Sequence, residues 1–146
     1  MTAGREIAAA TGPVGYALAQ ATRAHRNEMQ HRMTQLGLHL GQELLIIDIH
    51  QHPDTTQAEL VRRIGMEQPT IAKATIRMQR TGFVERVPDP HDRRVIRLRL
   101  TERGQAVVEA ILAAWADVEA TATNGLTQPE TEQLTHLLHK IHDNLA

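Results

Sequence analysis

TTQAELVRRIGMEQPTIAKATIRMQR, residues 55–80, changes rhythm twice within 26 residues, and those two changes decide the fold. Thr56 and Glu59 form a capping box, in which the Thr hydroxyl takes the amide proton three residues on and Glu59 reaches back to the Thr56 amide. A helix therefore starts there, carrying Ala58, Leu60, Val61 and Ile64 inward. Gly65 ends it, since glycine turns a helix out with a positive φ at little cost. After a turn of about three residues, Pro69 falls in the first turn of a second helix, where its missing amide is harmless. That helix is predicted over 68–80 and is closed by Gly82. Two short helices joined by a glycine turn, the second rich in exposed donors, make a helix-turn-helix.

Downstream, FVERV (83–87) and VIRLRL (95–100) alternate apolar and polar residues and predict an antiparallel hairpin whose tip is DPHDRR, Asp89 to Arg94. Thr101 then caps a helix to about Thr123 with Val108, Ile111, Leu112, Trp115 and Val118 on one side. Asn124-Gly125 breaks it. Thr127 restarts a last helix with Leu134, Leu138, Ile141 and Leu145 in one stripe. Upstream, Val14 to Leu36 has no internal proline and reads as one long helix with a thin apolar stripe, which needs a partner surface to stay folded. GQELLIIDIH (41–50) is short and very apolar; Leu, Gln and Glu at its start favour a buried helix over a strand. Only the first dozen residues look unstructured. The expected fold is mostly α with a small β-hairpin, a winged helix-turn-helix between long N- and C-terminal helices.

Composition removes whole classes of function. The 146 residues include no cysteine and no serine, which excludes disulfides, thiolate metal sites, thiol redox sensing and Ser or Cys nucleophiles. No Gly-rich phosphate loop or nucleophile with a paired base can be assembled, so no enzyme is expected and no cofactor is assigned. One Phe, one Tyr and one Trp are too few for single-strand binding by base stacking. No apolar run reaches membrane-spanning length and the N-terminus lacks a sustained apolar core, so a cytoplasmic protein without membrane contact is expected. The net charge of −1 hides a division. Residues 56–104 hold eleven Lys or Arg against six acids, a net of +5; the remainder is −6. The middle third is the part suited to a polyanion.

The run from Thr55 to Gly104, with its QAEL, QPTIAK and TGFVER spacing, its DPxDRR tip and the LTxRG that follows, resembles the MarR family of bacterial transcription regulators. The likeness is strong over about Leu36 to Gly104 and extends to the outer helices in position and length. It implies a homodimer whose terminal helices interlock, with two winged domains meeting successive grooves of a palindromic double-stranded operator. The chain then divides into a flexible end (1–12), a helical dimerisation region (13–36 and 105–146) and a DNA-binding domain (37–104). The second helix of the motif enters the major groove with Gln68, Pro69, Thr70, Lys73 and Arg77. Thr56 and Gln57 at the preceding helix start are placed for a phosphate. Arg93 and Arg94 fit a narrow minor groove, and the family pattern implies that Asp92 holds Arg94 extended. Asp89 and Pro90 shape the turn. Arg97 and Arg99 are divided between phosphate contacts and cross-strand pairing with Glu85, whereas Arg62 and Arg63 read as a wet helix face.

The resemblance also implies release by a small, often aromatic or phenolic acid. Its pocket is expected from His25, Glu28, Met29 and Arg32 on the first long helix, His39 and Glu43 on the second, and Trp115 on the fifth. Two alternatives stand beside this reading. One is a winged domain turned into a protein-interaction module, for which a flat salt dependence of partner binding would speak. The other is a metal-responsive regulator, since there are nine histidines and His136, His139 and His142 recur at intervals of three. At 100° per residue these three project at roughly 200°, 140° and 80° from the leucine stripe, too wide a fan for one tight tridentate site, and no metal site is assigned.

Overall fold

The computed structural model describes residues 2–146 and contains seven helices and three strands among them. Helix α1 spans Thr2–Thr11, α2 Pro13–Gln35, α3 Gln42–Gln51, α4 Gln57–Ile64, α5 Gln68–Arg80, α6 Glu102–Ala122 and α7 Gln128–Leu145. The strands are β1 (Thr55–Thr56), β2 (Val84–Pro88) and β3 (Ile96–Leu100). The first dozen residues were expected to be a loose end; Thr2–Thr11 is instead helical and packs on α2, and Met1 lies outside the described residues. Its Ala-rich run, EIAAAT, has the propensity for a helix but shows too little periodicity to announce one.

The capping box predicted at Thr56 forms, and a second one is found at the last helix. At α4 the Thr56 hydroxyl accepts from Glu59 N at 3.2 Å while Glu59 Oε2 accepts from Thr56 N at 2.9 Å. At α7 Thr127 and Glu130 repeat the pattern. Gly65 closes α4 at φ +72°.

The sheet is antiparallel in the order β1-β3-β2, with Val84 opposite Leu100 and Pro88 opposite Ile96. The third strand is only two residues long, Thr55 lying opposite Leu98. It has no alternation of its own to read, and exists because β3 offers it a free edge.

A single core joins the parts. Met29 and Met33 of α2, Leu45, Ile46 and Ile49 of α3, Leu60 of α4, Ile71 and Met78 of α5, Phe83 and Leu98 of the hairpin, and Ile111 of α6 are all buried. Helix α7 contributes nothing to it; none of its residues is buried.

Candidate nucleic-acid interface

Helix α5 turns Ile71, Thr75 and Met78 inward and leaves the opposite side open. At 100° per residue, Pro69, Thr70, Lys73, Ile76 and Arg77 fall within an arc of roughly 120° centred near Lys73, and all five are exposed. Gln68 is exposed too but projects outside this arc, at the helix start. Ile76, which the sequence reading left out, is 36% exposed. An apolar side chain at the edge of a basic helix face is suited to a thymine methyl. Its period-3 spacing from Lys73 was the available signal.

At the head of α4 the capping box alters the expectation for Thr56. Its amide donates to Glu59 Oε2 and its hydroxyl oxygen accepts from Glu59 N, which leaves the hydroxyl proton as the donor Thr56 can offer a phosphate. The Thr56 amide first, and then the Thr55 hydroxyl donating at 3.0 Å, hold the Glu59 carboxyl below its ordinary value. Gln57 also turns inward: its Oε1 accepts from Thr75 Oγ1 and Arg86 Nη2.

The hairpin tip is built around Asp89, which is 7% exposed. Oδ1 accepts from the His91 and Asp92 amides at 2.8 and 3.1 Å, and Oδ2 accepts from Arg97 Nε at 2.6 Å. Arg97 reaches on to the Asp54 carbonyl at 2.9 Å, and Arg99 Nε bonds Asp54 Oδ1 at 2.7 Å. Asp54 holds this position in the left-handed region, at φ +65°. Both wing-strand arginines thus bond aspartates of the chain rather than Glu85, and the Arg99 side chain stays 52% exposed. Glu85 does lie opposite Arg99 in register, but the guanidinium goes to Asp54. Arg63 is likewise occupied, forking onto Asp48 at 2.6 and 3.0 Å and donating to Thr55 Oγ1 at 2.7 Å, while Arg62 is exposed.

At the tip, Asp92 accepts from Arg94 Nε and Nη2 at 3.1 and 3.2 Å. The Arg94 side chain is 91% exposed, so the pair extends it without hiding it. Arg93 and His91 are exposed beside it.

The Asp89 carboxyl is held below its ordinary value of 3.8, first by Arg97 and then by the His91 and Asp92 amides. A depressed folded value means that the bonds at the tip are complete above about pH 4 and are lost as pH falls through the lower folded value. Asp89→Asn is therefore expected to speed hydrogen exchange at the Asp92 amide at neutral pH, whereas the wild-type rate, corrected for intrinsic exchange, stays flat from pH 5 to 8. A wild-type tip that loosened within that range would contradict the assignment.

Of the seven residues expected to line an effector pocket, His25 lies against Trp115 and Glu28 against Arg32, while Met29, Glu43 and His39 sit elsewhere. Met29 is in the core, and Glu43 is buried with Oε2 accepting from Gly41 N at 2.6 Å. Burial raises the Glu43 carboxyl pKa. Arg32 bridges Glu28 and Asp117 at 2.9 and 3.0 Å. The rings of His25 and Trp115 lie 5.5 Å apart, tilted, and the Trp115 Nε1 is buried without an acceptor. His39 lies apart from these, in a cavity of about 270 Å³ shared with Thr70, Lys73 and Arg77. His136, His139 and His142 are exposed, and no three His, Asp or Glu are grouped for a metal among the described residues. No helix among the described residues is long and apolar enough to cross a membrane.

Residues 38–96 match the model of the MarR family, the span that holds the helix-turn-helix and most of the hairpin. That winged domain is a MarR-family domain. Members of this family are transcription regulators rather than enzymes, in keeping with the absence of Ser and Cys nucleophiles. Among solved structures, MarR itself is 26% identical with a TM-score of 0.77, each chain covering 92% of the other. A probable transcriptional regulator from Pseudomonas aeruginosa is 26% identical over 88% of this chain and 96% of its own, TM-score 0.78. A Cys-to-Ser mutant of MarR from E. coli, complexed with operator DNA, is 24% identical over 89% of this chain and 94% of its own, TM-score 0.80. The winged helix-turn-helix between long helices is therefore the fold of this chain.

Proposed function

We propose that this MarR-family chain is a homodimeric repressor that binds a palindromic double-stranded operator and is released by a small ligand. One observation carries the DNA reading: the basic arc of α5 is left open around Lys73 and Arg77 while its inner face packs on β2, the strand leading to the Arg93–Arg94 tip. The helix supplies contacts to base edges in the major groove. The tip supplies cations for the minor groove, where Arg94 arrives already extended by Asp92. The operator complex of the E. coli MarR mutant shows that the same fold can hold DNA. Dimerisation is supported by α7, whose exposed leucines lack cover within one chain.

Release fits the cavity in which His39 faces Lys73 and Arg77. An organic acid bound there would occupy the two cations that DNA needs.

The test is fluorescence anisotropy on a duplex from immediately upstream of the gene and on a scrambled duplex, at near-physiological salt. The expected preference for the upstream duplex is about 10³ or more. Lys73→Ala or Arg77→Ala is expected to cost about 1–3 kcal/mol on the upstream duplex with little change on the scrambled one, and Arg94→Ala to lower operator affinity. Equal, weak binding to both duplexes, unmoved by these substitutions, would overturn the reading in favour of a protein-interaction module.

A further inference from the structure

Arg86 is half-buried on β2, yet no carboxylate pairs with it among the described residues, and its Nε is buried without any acceptor. A partly buried cation without an acid is costly unless its donors are used well. Its one bond runs from Nη2 to Gln57 Oε1 at 3.3 Å. The same oxygen accepts from Thr75 Oγ1 at 3.3 Å, and Thr75 is fully buried on the inner side of α5. That hydroxyl has a single proton, shared with Ala72 O at 3.0 Å. Arg86 is therefore the firmer of the two pins.

A guanidinium has donors only, so the carboxamide atom facing it has to be the oxygen. The Gln57 Nε2 is consequently turned the other way, and it donates to no acceptor among the described residues. Gln57 is the first residue of α4, at the positive end of the helix dipole. A glutamate there would pair with Arg86 better than an amide does; what the amide keeps, and a glutamate lacks, is an outward N–H donor.

We infer that Arg86 is a positioning residue for phosphate binding: through Gln57 Oε1 it aims the Gln57 amide nitrogen at the DNA backbone. The inference rests on the DNA-binding reading above. It gives Arg86 and Thr75, neither of which touches DNA in this scheme, a defined part in affinity. A phosphate contact positions without specifying, so the effect falls on all sequences alike.

The full-length protein and its Gln57→Glu, Gln57→Ala, Arg86→Met, Gln57→Ala/Arg86→Met and Arg94→Ala variants are compared by thermal melting and by anisotropy on the upstream and scrambled duplexes. Gln57→Glu is expected to melt no lower than wild type, because its carboxylate still accepts from Arg86 and Thr75. It binds both duplexes about tenfold more weakly, the loss of one charge-assisted hydrogen bond. Arg86→Met weakens binding several-fold in the wild type and nothing further when Gln57 is already Ala. Undiminished binding by Gln57→Glu, or an equal cost of Arg86→Met in both backgrounds, while Arg94→Ala still weakens binding, overturns the inference and leaves the DNA reading standing. If Arg94→Ala binds like wild type as well, the DNA reading fails and takes the inference with it.

Discussion

Gly104→Ala is expected to lower unfolding stability by about 3 kcal/mol, the upper end for inserting one methyl into a packed site. A Cβ on Gly104 would lie 2.1 Å from the Phe83 carbonyl oxygen and 3.1 Å from its carbon. Neither side is free to yield. Phe83 O accepts from Thr101 N at 3.1 Å and Phe83 N donates to Met78 O at 2.8 Å, tying that peptide to α5 on one side and to the start of α6 on the other. The Phe83 ring is buried beneath the Arg103 guanidinium, 4.3 Å from its centroid. Thr101, the N-cap of α6, accepts from Gly104 N at 3.0 Å and donates to Gly82 O. The LTxRG motif thus has a physical content: a cap, a cation lid over Phe83, and a residue with no side chain where α6 crosses the hairpin backbone. Urea denaturation at one fixed protein concentration measures the loss. Glu109→Ala, on the exposed side of the same helix, serves as control and should stay within about 0.5 kcal/mol. Equal midpoints for Gly104→Ala and wild type would refute the close approach.

Leu138→Asp is expected to turn dimers into monomers and to lower operator affinity by about 10²–10⁴, the advantage of engaging two half-sites from one particle. Leu134, Leu137 and Leu138 are 43, 46 and 41% exposed in the single chain. With Val14 and Leu18 of α2 they line an open apolar groove. An aspartate at an exposed site costs little within one chain, so helicity should persist; buried against a second copy, the same carboxylate is strongly unfavourable. Light scattering coupled to gel filtration reads the assembly, and anisotropy reads the DNA. A variant that stays dimeric with full operator affinity would remove α7 from the interface.

Much of the site was legible because its signals are local. Thr56 and Glu59 are three residues apart, as are Thr127 and Glu130, and a capping box needs nothing beyond that spacing. The inward and outward faces of α5 follow from the 3.6-residue period, and Asp92 and Arg94 are neighbours whose pairing the resemblance anticipated. The roles of Arg97 and Arg99 were not legible. Both read as divided between phosphate contacts and pairing with Glu85, but Asp54, more than forty positions away in sequence, accepts from both, with Asp89 also holding Arg97. The expected effector residues are only partly brought together, for a similar reason. Helical spacing places His25 and Arg32 on one side of α2, but the packing of α3 and α6 sends Met29 and Glu43 inward and His39 toward α5.

By itself the sequence determined the order of the six main helices and the hairpin, the positive middle third, and the motif order that resembles the MarR family. All of these are matters of period, cap and composition within a few residues of one another. Only the tertiary structure decided that Thr55–Thr56 adds a strand, that Gly104 has to lack a side chain, that Gln57 is pinned by Arg86 and Thr75, and which arginines remain free for DNA. Each of these depends on two segments far apart in the chain meeting at van der Waals or hydrogen-bond distance, and no local pattern records such a meeting.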